Sequence, residues 1–162
     1  MAKNDEEIIV DEIEGGDDSE LRVYELGFHI DPELPTEEVK KVYHAMRELI
    51  EKNGTLIAEG EPEKIQLAYT ISRQETTGRR DFDTAHFSWI VYETDATRHS
   101  EIVKAANADK KIIRFIDLIT TKDAARHSVE MHELSLKTTE RAKDSETAIN
   151  EELDTALENA AV

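Results

Sequence analysis

Apolar residues recur with a period of two in several stretches of this chain and with a helical period in two others. Val23–Ile30 places Tyr24, Leu26, Phe28 and Ile30 on one face, the pattern of a strand with one side buried. Pro35-Thr36-Glu37-Glu38 then opens a helix, with Thr36 as the expected N-cap and two acids in the first turn where the helix dipole favours them. Val39, Val42, Tyr43, Met46, Leu49 and Ile50 follow at helical spacing, and Asn53-Gly54 is the stop. A second strand begins at Thr55–Glu59. A bend or bulge is expected at Gly60–Glu63, because Pro62 has no N–H to give to a ladder, and the strand resumes over Lys64–Ser72. There Ile65, Leu67, Tyr69 and Ile71 alternate with polar or small residues. Arg73–Thr84 is polar, contains Gly78, and reads as a long hairpin loop.

Ala85–Glu93 is the third strand, with Phe87, Trp89 and Val91 on one side and Ser88, Ile90 and Tyr92 on the other. Thr94 and Asp95 can cap a second helix that carries His99, Ile102, Val103 and Ala106 on its apolar side. Lys111–Thr121 is the last strand, apolar in both phases. Beyond it only Ile149, Leu153 and Leu157, following Ser145, suggest a marginal helix. The order strand, helix, strand, strand, helix, strand predicts an α+β, ferredoxin-like fold: a four-stranded antiparallel sheet with both helices on one face. The other face is left open. One set of third-strand side chains must lie on it, so an apolar, partly aromatic patch is expected there, and such a patch marks a binding surface.

Composition changes the picture at the ends. Of 162 residues 38% are hydrophobic and 35% charged, enough for one small domain with polar extensions. Residues 1–20 hold nine acids and one base, and 127–162 nine acids and three bases. Residues 21–126 hold 19 acids and 16 bases. The domain therefore spans 21–126. The stretch 1–20, with an apolar island at Ile8, Ile9, Val10 and Ile13, and the stretch 127–162 are expected as acidic, mostly disordered extensions. The net charge of −17 argues against a free-standing basic nucleic-acid binder, although 64–126 has 11 bases against 9 acids. Without Cys there is no disulfide framework, thiolate metal site or Cys nucleophile. With no leader or spanning segment in the pattern, the expected location is the cytoplasm, with no membrane partner.

Candidate chemistry is sparse. The sequence has no phosphate loop, nucleophile elbow or Gly-rich dinucleotide fingerprint, so neither a small-molecule substrate nor a cofactor is expected. His127 and His132 are five apart, the wrong interval for one helix face, and Asp81, Asp83 and His86 form no closed ligand set. All six His read as ordinary structural or surface residues. The same strand order hosts small-ligand sensor domains and acylphosphatase-like phosphate cleavers. The latter need an Arg in the loop after the first strand, where this chain has Asp31-Pro32-Glu33-Leu34-Pro35. The RNA-recognition module shares the fold, but its third-strand consensus is absent from Thr84–Tyr92.

Gln66-Leu67-Ala68-Tyr69-x-Ile71-Ser72, on the predicted second strand, resembles the signature of the bacterial small-subunit ribosomal protein S6 family. Glu63 stands where that signature has Gly, and Ile65 where it has a base. Tyr24-Glu25-Leu26, His86-Phe87, Ile113–Ile116 and Thr121-Lys122 are similar too, so the resemblance covers about 21–126. It implies a non-enzymatic structural constituent of the small ribosomal subunit. Such a protein binds the central domain of small-subunit ribosomal RNA together with ribosomal protein S18. Much of the attraction to phosphate would then come from the basic partner. The candidate RNA contacts are Lys64, Arg73, Arg79, Arg80, Lys110, Lys111 and Arg114, at strand ends and in the 73–84 loop. Phe87, Trp89 and Val91 are the candidate partner interface.

Overall fold

The central strand of the sheet is β1 (Arg22–Ile30), which pairs antiparallel with β3 (Gly78–Thr94) on one side and β4 (Ile112–Thr120) on the other. β2 (Thr55–Glu75) completes the order β2-β3-β1-β4. Between strands lie α1 (Thr36–Asn53) and α2 (Ala96–Ala108), and α3 (Lys122–Ala160) follows the sheet. The structure, a computed structural model, describes residues 19–160. Most of the acidic leader, with its Ile8–Ile13 island, lies outside the described residues.

The fold is the expected ferredoxin-like α+β arrangement. Tyr24, Leu26, Phe28 and Ile30 of β1 are buried against Val39, Val42, Tyr43, Met46 and Ile50 of α1 and Ile102 and Ala106 of α2. Register assigns the remaining faces, because directly opposed residues of an antiparallel pair share a side. Ile90 and Tyr92 of β3 stand opposite Leu26 and Tyr24, so they face the helices, and so do Phe115 and Asp117 of β4. Phe87, Trp89 and Val91 lie on the opposite face with Arg114, Ile116 and Leu118 of β4.

Several local expectations are revised. Thr36 is the first helical residue of α1 rather than its cap; Pro35 precedes it and no side chain caps the end. Asp95 does cap α2, its carboxylate accepting from the Arg98 N–H at 2.9 Å. The break at Gly60–Glu63 is a register shift in β2, tolerable because β2 is an edge strand where Pro62 needs no donor.

The predicted 73–84 loop is absent. β2 and β3 continue as an antiparallel arm to a tight turn at Thr76-Thr77, with Gly78 at φ 126°, a backbone conformation only Gly adopts freely. The stretch is polar because an arm two strands wide is mostly solvated, not because it lacks strands.

The tail is also revised. Residues 127–162 read as mostly unstructured, yet α3 is helical from Lys122 to Ala160. That range contains no Gly and no Pro, so the backbone meets no breaker even where the apolar signal is weak. The start of α3 lies against β2, with Lys122 in an ion pair with Glu93 at 2.8 Å and Ala125 buried. Val129 is half-buried, and every later α3 side chain described is exposed.

Gly54 ends α1 with an extended backbone rather than a left-handed one, so its role is spatial. A Cβ there would lie 2.5 Å from the Glu93 carbonyl oxygen and 2.9 Å from Thr94 Cβ. Thr94 is itself held, donating from Oγ1 to the Asn53 carbonyl at 2.5 Å. Gly54→Ala is expected to destabilise the fold by about 1–3 kcal/mol, overpacking outweighing the small gain from a stiffer unfolded chain. Urea unfolding measures this, and an unchanged midpoint would show that the contact yields freely.

Candidate nucleic-acid interface

Family-like residues Leu67–Thr70 do not continue the strand alternation. The β2–β3 register is regular from Glu63↔Phe87 to Gln66↔Thr84 and resumes at Ile71↔Phe82, so residues 67–70 bulge opposite Asp83 alone. Asp83 pins the bulge: its carbonyl accepts from Gln66 Nε2 at 2.8 Å and its carboxylate from Thr70 Oγ1 at 2.5 Å. Tyr69 consequently leaves the strand face, is 60% exposed, and carries the Arg114 guanidinium over its ring at 5.7 Å.

That contact joins opposite edges of the sheet. β2 and β4 are three strand spacings apart, about 14 Å, so the distal arm must arch over the end of the sheet to reach β4. Arg73 completes the crossing, its Nη1 donating to the carbonyls of Lys110 at 2.9 Å and Ile112 at 3.4 Å. Arg80 makes a two-pronged pair with Asp31, both contacts 2.7 Å, and reaches Glu33 at 2.6 Å. The Phe82 ring, 3% exposed, packs against both guanidiniums, its centroid 5.5 Å from Arg73 and 4.5 Å from Arg80. Burial opposes ionisation of Asp31. The Arg80 hydrogen bonds, the Glu33 N–H and the charges of Arg80 and Arg73 outweigh it, and hold the carboxyl below its ordinary range.

Between the arm tip and the α2–β4 connection opens a cleft of about 710 Å³, lined among others by Arg73, Arg80, Asn107, Lys110, Arg114 and Phe115. The structure thus gathers four of the seven predicted basic residues, though on different terms. Arg73 and Arg80 are committed to internal partners and hold the arm down. Lys110 is exposed, and Arg114 is exposed on its Tyr69 platform. Arg79 is exposed and pairs with Asp81 at 3.1 Å. Lys111 pairs with Glu38 at 3.0 Å, on the helix side. Lys64 is exposed on β2 opposite His86, away from the cleft lining.

The open face keeps part of its predicted patch. Phe87 and Trp89 are half-buried, while Ile116 and Leu118 are 55% and 47% exposed. Gly27 lets them close up: a Cβ there would meet Ile116 at 3.2 Å and Phe87 at 3.4 Å. Gly60 does the same for the Trp89 indole, whose Nε1 occupies the space of a Cβ at 2.2 Å. Val91, by contrast, is completely buried and offers no surface to a partner. His29 stands beside Phe87, ring centroids 5.5 Å apart, and burial and the Arg114 charge push its pKa down, so it adds no charge to the patch at neutral pH.

Asp31, Tyr69 and Phe82 were not read as site residues in the sequence. The signal for Phe82 was its place as a lone aromatic between Asp81 and Asp83 in a polar stretch. A further, partly buried chain runs from the Tyr92 hydroxyl to His99 Nδ1 at 3.0 Å and from His99 Nε2 to Asp117 at 2.8 Å. The Tyr24 ring stacks on the imidazole at 3.6 Å. This chain ties α2 to β3 and β4 on the helix side. Among the described residues no His, Asp and Glu group is arranged to hold a metal, and no helix is long and apolar enough to cross a membrane.

A family model described as "Ribosomal protein S6" matches residues 23–118. No curated protein matches the sequence. Among solved structures, the crystal structure of 30S ribosomal protein S6 from Thermotoga maritima is similar, with a TM-score of 0.53 at 19% identity over 73% of this chain and 99% of that one. At that identity the likeness is one of fold.

The Arg80 clamp has a pH signature. An unfolded Asp titrates near pH 3.9, and the folded carboxyl of Asp31 titrates lower, so the clamp stabilises above that value and loses its effect as pH falls through the folded pKa. Arg80→Met is expected to cost about 2 kcal/mol at pH 7, less than a fully buried pair because Arg80 is 26% exposed. The gap from the parent narrows as pH falls below about 3.9 and is lost below the folded pKa of Asp31. Denaturant titrations across pH check it; a gap independent of pH would mean that Phe82 packing, not charge, holds the arm.

Proposed function

The chain belongs to the ribosomal protein S6 family, and on that premise we propose that this small-subunit ribosomal protein binds small-subunit ribosomal RNA jointly with ribosomal protein S18. The observation that carries the reading is the open sheet face, where Phe87, Trp89, Ile116 and Leu118 form an apolar patch bordered by Arg114. An uncovered apolar face is the surface a protein partner fills, and an adjoining base lets the pair meet phosphate together. The charge balance supports this division of labour. With 19 acids against 16 bases the body of the chain attracts RNA weakly, so the partner supplies most of the electrostatic free energy. The role is structural, and the central domain of the RNA is the target the family resemblance implies.

Within this chain Lys110 and Arg114 are the cations best placed to reach phosphate, with the exposed Tyr69 ring beside Arg114 available to a base. Arg73 and Arg80 serve by holding the arm that presents them.

Trp89→Ser is expected to weaken a purified complex with S18 by about 1 kcal/mol or more, the scale of an aromatic interface anchor. Titration calorimetry measures it, and unchanged affinity together with unchanged Trp fluorescence on mixing would remove the open face from the interface. Separately, Lys110→Glu with Arg114→Glu should leave that heterodimer intact while weakening its binding to RNA. The slope of log affinity against log salt should flatten by up to about two, roughly one per lost phosphate contact. Parent-like RNA binding across a salt series would show the cleft rim to be ordinary solvated surface.

A further inference from the structure

Phosphate contacts at Lys110 and Arg114 use only the rim of the cleft between the arm tip and the α2–β4 connection. The cleft itself, at about 710 Å³, has the volume of a small-molecule pocket, on the order of 300–1,000 Å³. A paired RNA helix keeps its bases stacked and cannot put one inside.

Charge decides what part of an unpaired nucleotide suits the interior. Arg73 and Arg80 line the cleft, but Arg73 pairs with Glu75 at 2.5 Å, and Arg80 pairs with Asp31 at 2.7 Å and Glu33 at 2.6 Å. Glu75 and Asp109 stand on the lining as well. The interior thus offers no uncompensated cation, and a phosphate entering it would exchange water for neighbouring carboxylates. Uncommitted cations stand at the rim, where Lys110 and Arg114 are exposed and make no ion pair among the described residues.

A flat, uncharged, polar group fits better. Phe115 is half-buried on the lining, and the planar guanidiniums of Arg73 and Arg80, already neutralised, are surfaces on which a base stacks. Thr76 from the arm tip and Asn107 from the end of α2 reach the cleft from its two sides. Their side chains are exposed and make no hydrogen bond among the described residues. An amide and a hydroxyl each donate and accept, as the edge of a nucleobase requires.

We propose that the cleft takes one unpaired nucleobase of the small-subunit ribosomal RNA, with its phosphates outside on Lys110 and Arg114. The proposal rests on the RNA reading above and narrows it to a bulged or loop nucleotide. It also gives the arm's internal bonds a purpose. Without the pair of Arg80 with Asp31 and the Arg73 bonds to Lys110 and Ile112, the cleft would lose the wall that the arm supplies.

The test uses the heterodimer of the full chain with S18 and the central-domain RNA over a salt series. Asn107→Trp and Thr76→Trp fill the cleft without removing a cation. Each is expected to raise the dissociation constant about tenfold or more, the scale of one stacked base, while keeping the parent's slope of log affinity against log salt. The two positions are exposed and lie on different elements, so misfolding of one variant leaves the other to report. Ultraviolet cross-linking should join the peptide containing Phe115 to an unpaired nucleotide, and the adduct should disappear in both variants. Parent-like affinity in both variants overturns the proposal and leaves the RNA reading standing, and so does a cross-link to a paired nucleotide. A flattened salt slope in the Trp variants also overturns it, because phosphate would then occupy the cleft. A parent heterodimer that does not bind the RNA overturns the RNA reading and this proposal with it.

Discussion

The pair between Arg80 and Asp31 is the constraint on which the distinctive half of this molecule rests. A two-stranded arm has too little core to hold a fixed direction in water. Here it is tied to the end of β1 through Asp31 and to the start of β4 through the Arg73 bonds to Lys110 and Ile112, with Phe82 packed against both guanidiniums. The bulge at residues 67–70 supplies the bend that lets an edge strand reach the opposite edge. Tyr69 meets Arg114 only because of that crossing, and the cleft exists only because the arm roofs it.

The candidate surfaces follow from small residues as much as from the side chains that form them. Gly27 sits at the centre of the open face, and its missing side chain lets Phe87 and Ile116 converge over β1. Gly60 gives the Trp89 indole a flat bed. On the other side of the sheet the Tyr92–His99–Asp117 chain and the Asp95 cap hold the short helix α2, which has only two buried residues, Ile102 and Ala106. Bases committed to holding the arm and bases exposed at the cleft rim lie side by side, and only their partners distinguish them.

Much of the fold was legible in the sequence, because strand and helix periods are local properties of which side chains seek burial. The four strands, α1 and α2, the break near Pro62 and the Asp95 cap all follow from residues within a turn or a strand of one another. The arm and α3 were not legible on that basis. Both are regular structure without a buried face of their own, and an apolar period reports burial rather than regularity.

Of the candidate site, the sequence by itself determined the inventory: which bases, which aromatics, and an open sheet face to carry some of them. Tertiary structure alone decided their roles. Arg73 and Arg80 look no different from Lys110 and Arg114 in the chain, yet Arg80 is paired with Asp31, 49 residues away, and Arg73 donates to the carbonyl of Lys110, 37 residues away. Val91 alternates with Trp89 as an equal on β3, yet it is completely buried while Trp89 is not. Long-range pairing selects one partner among many of the same chemical type. No local pattern encodes that choice, because its free energy appears only when distant segments are brought into contact.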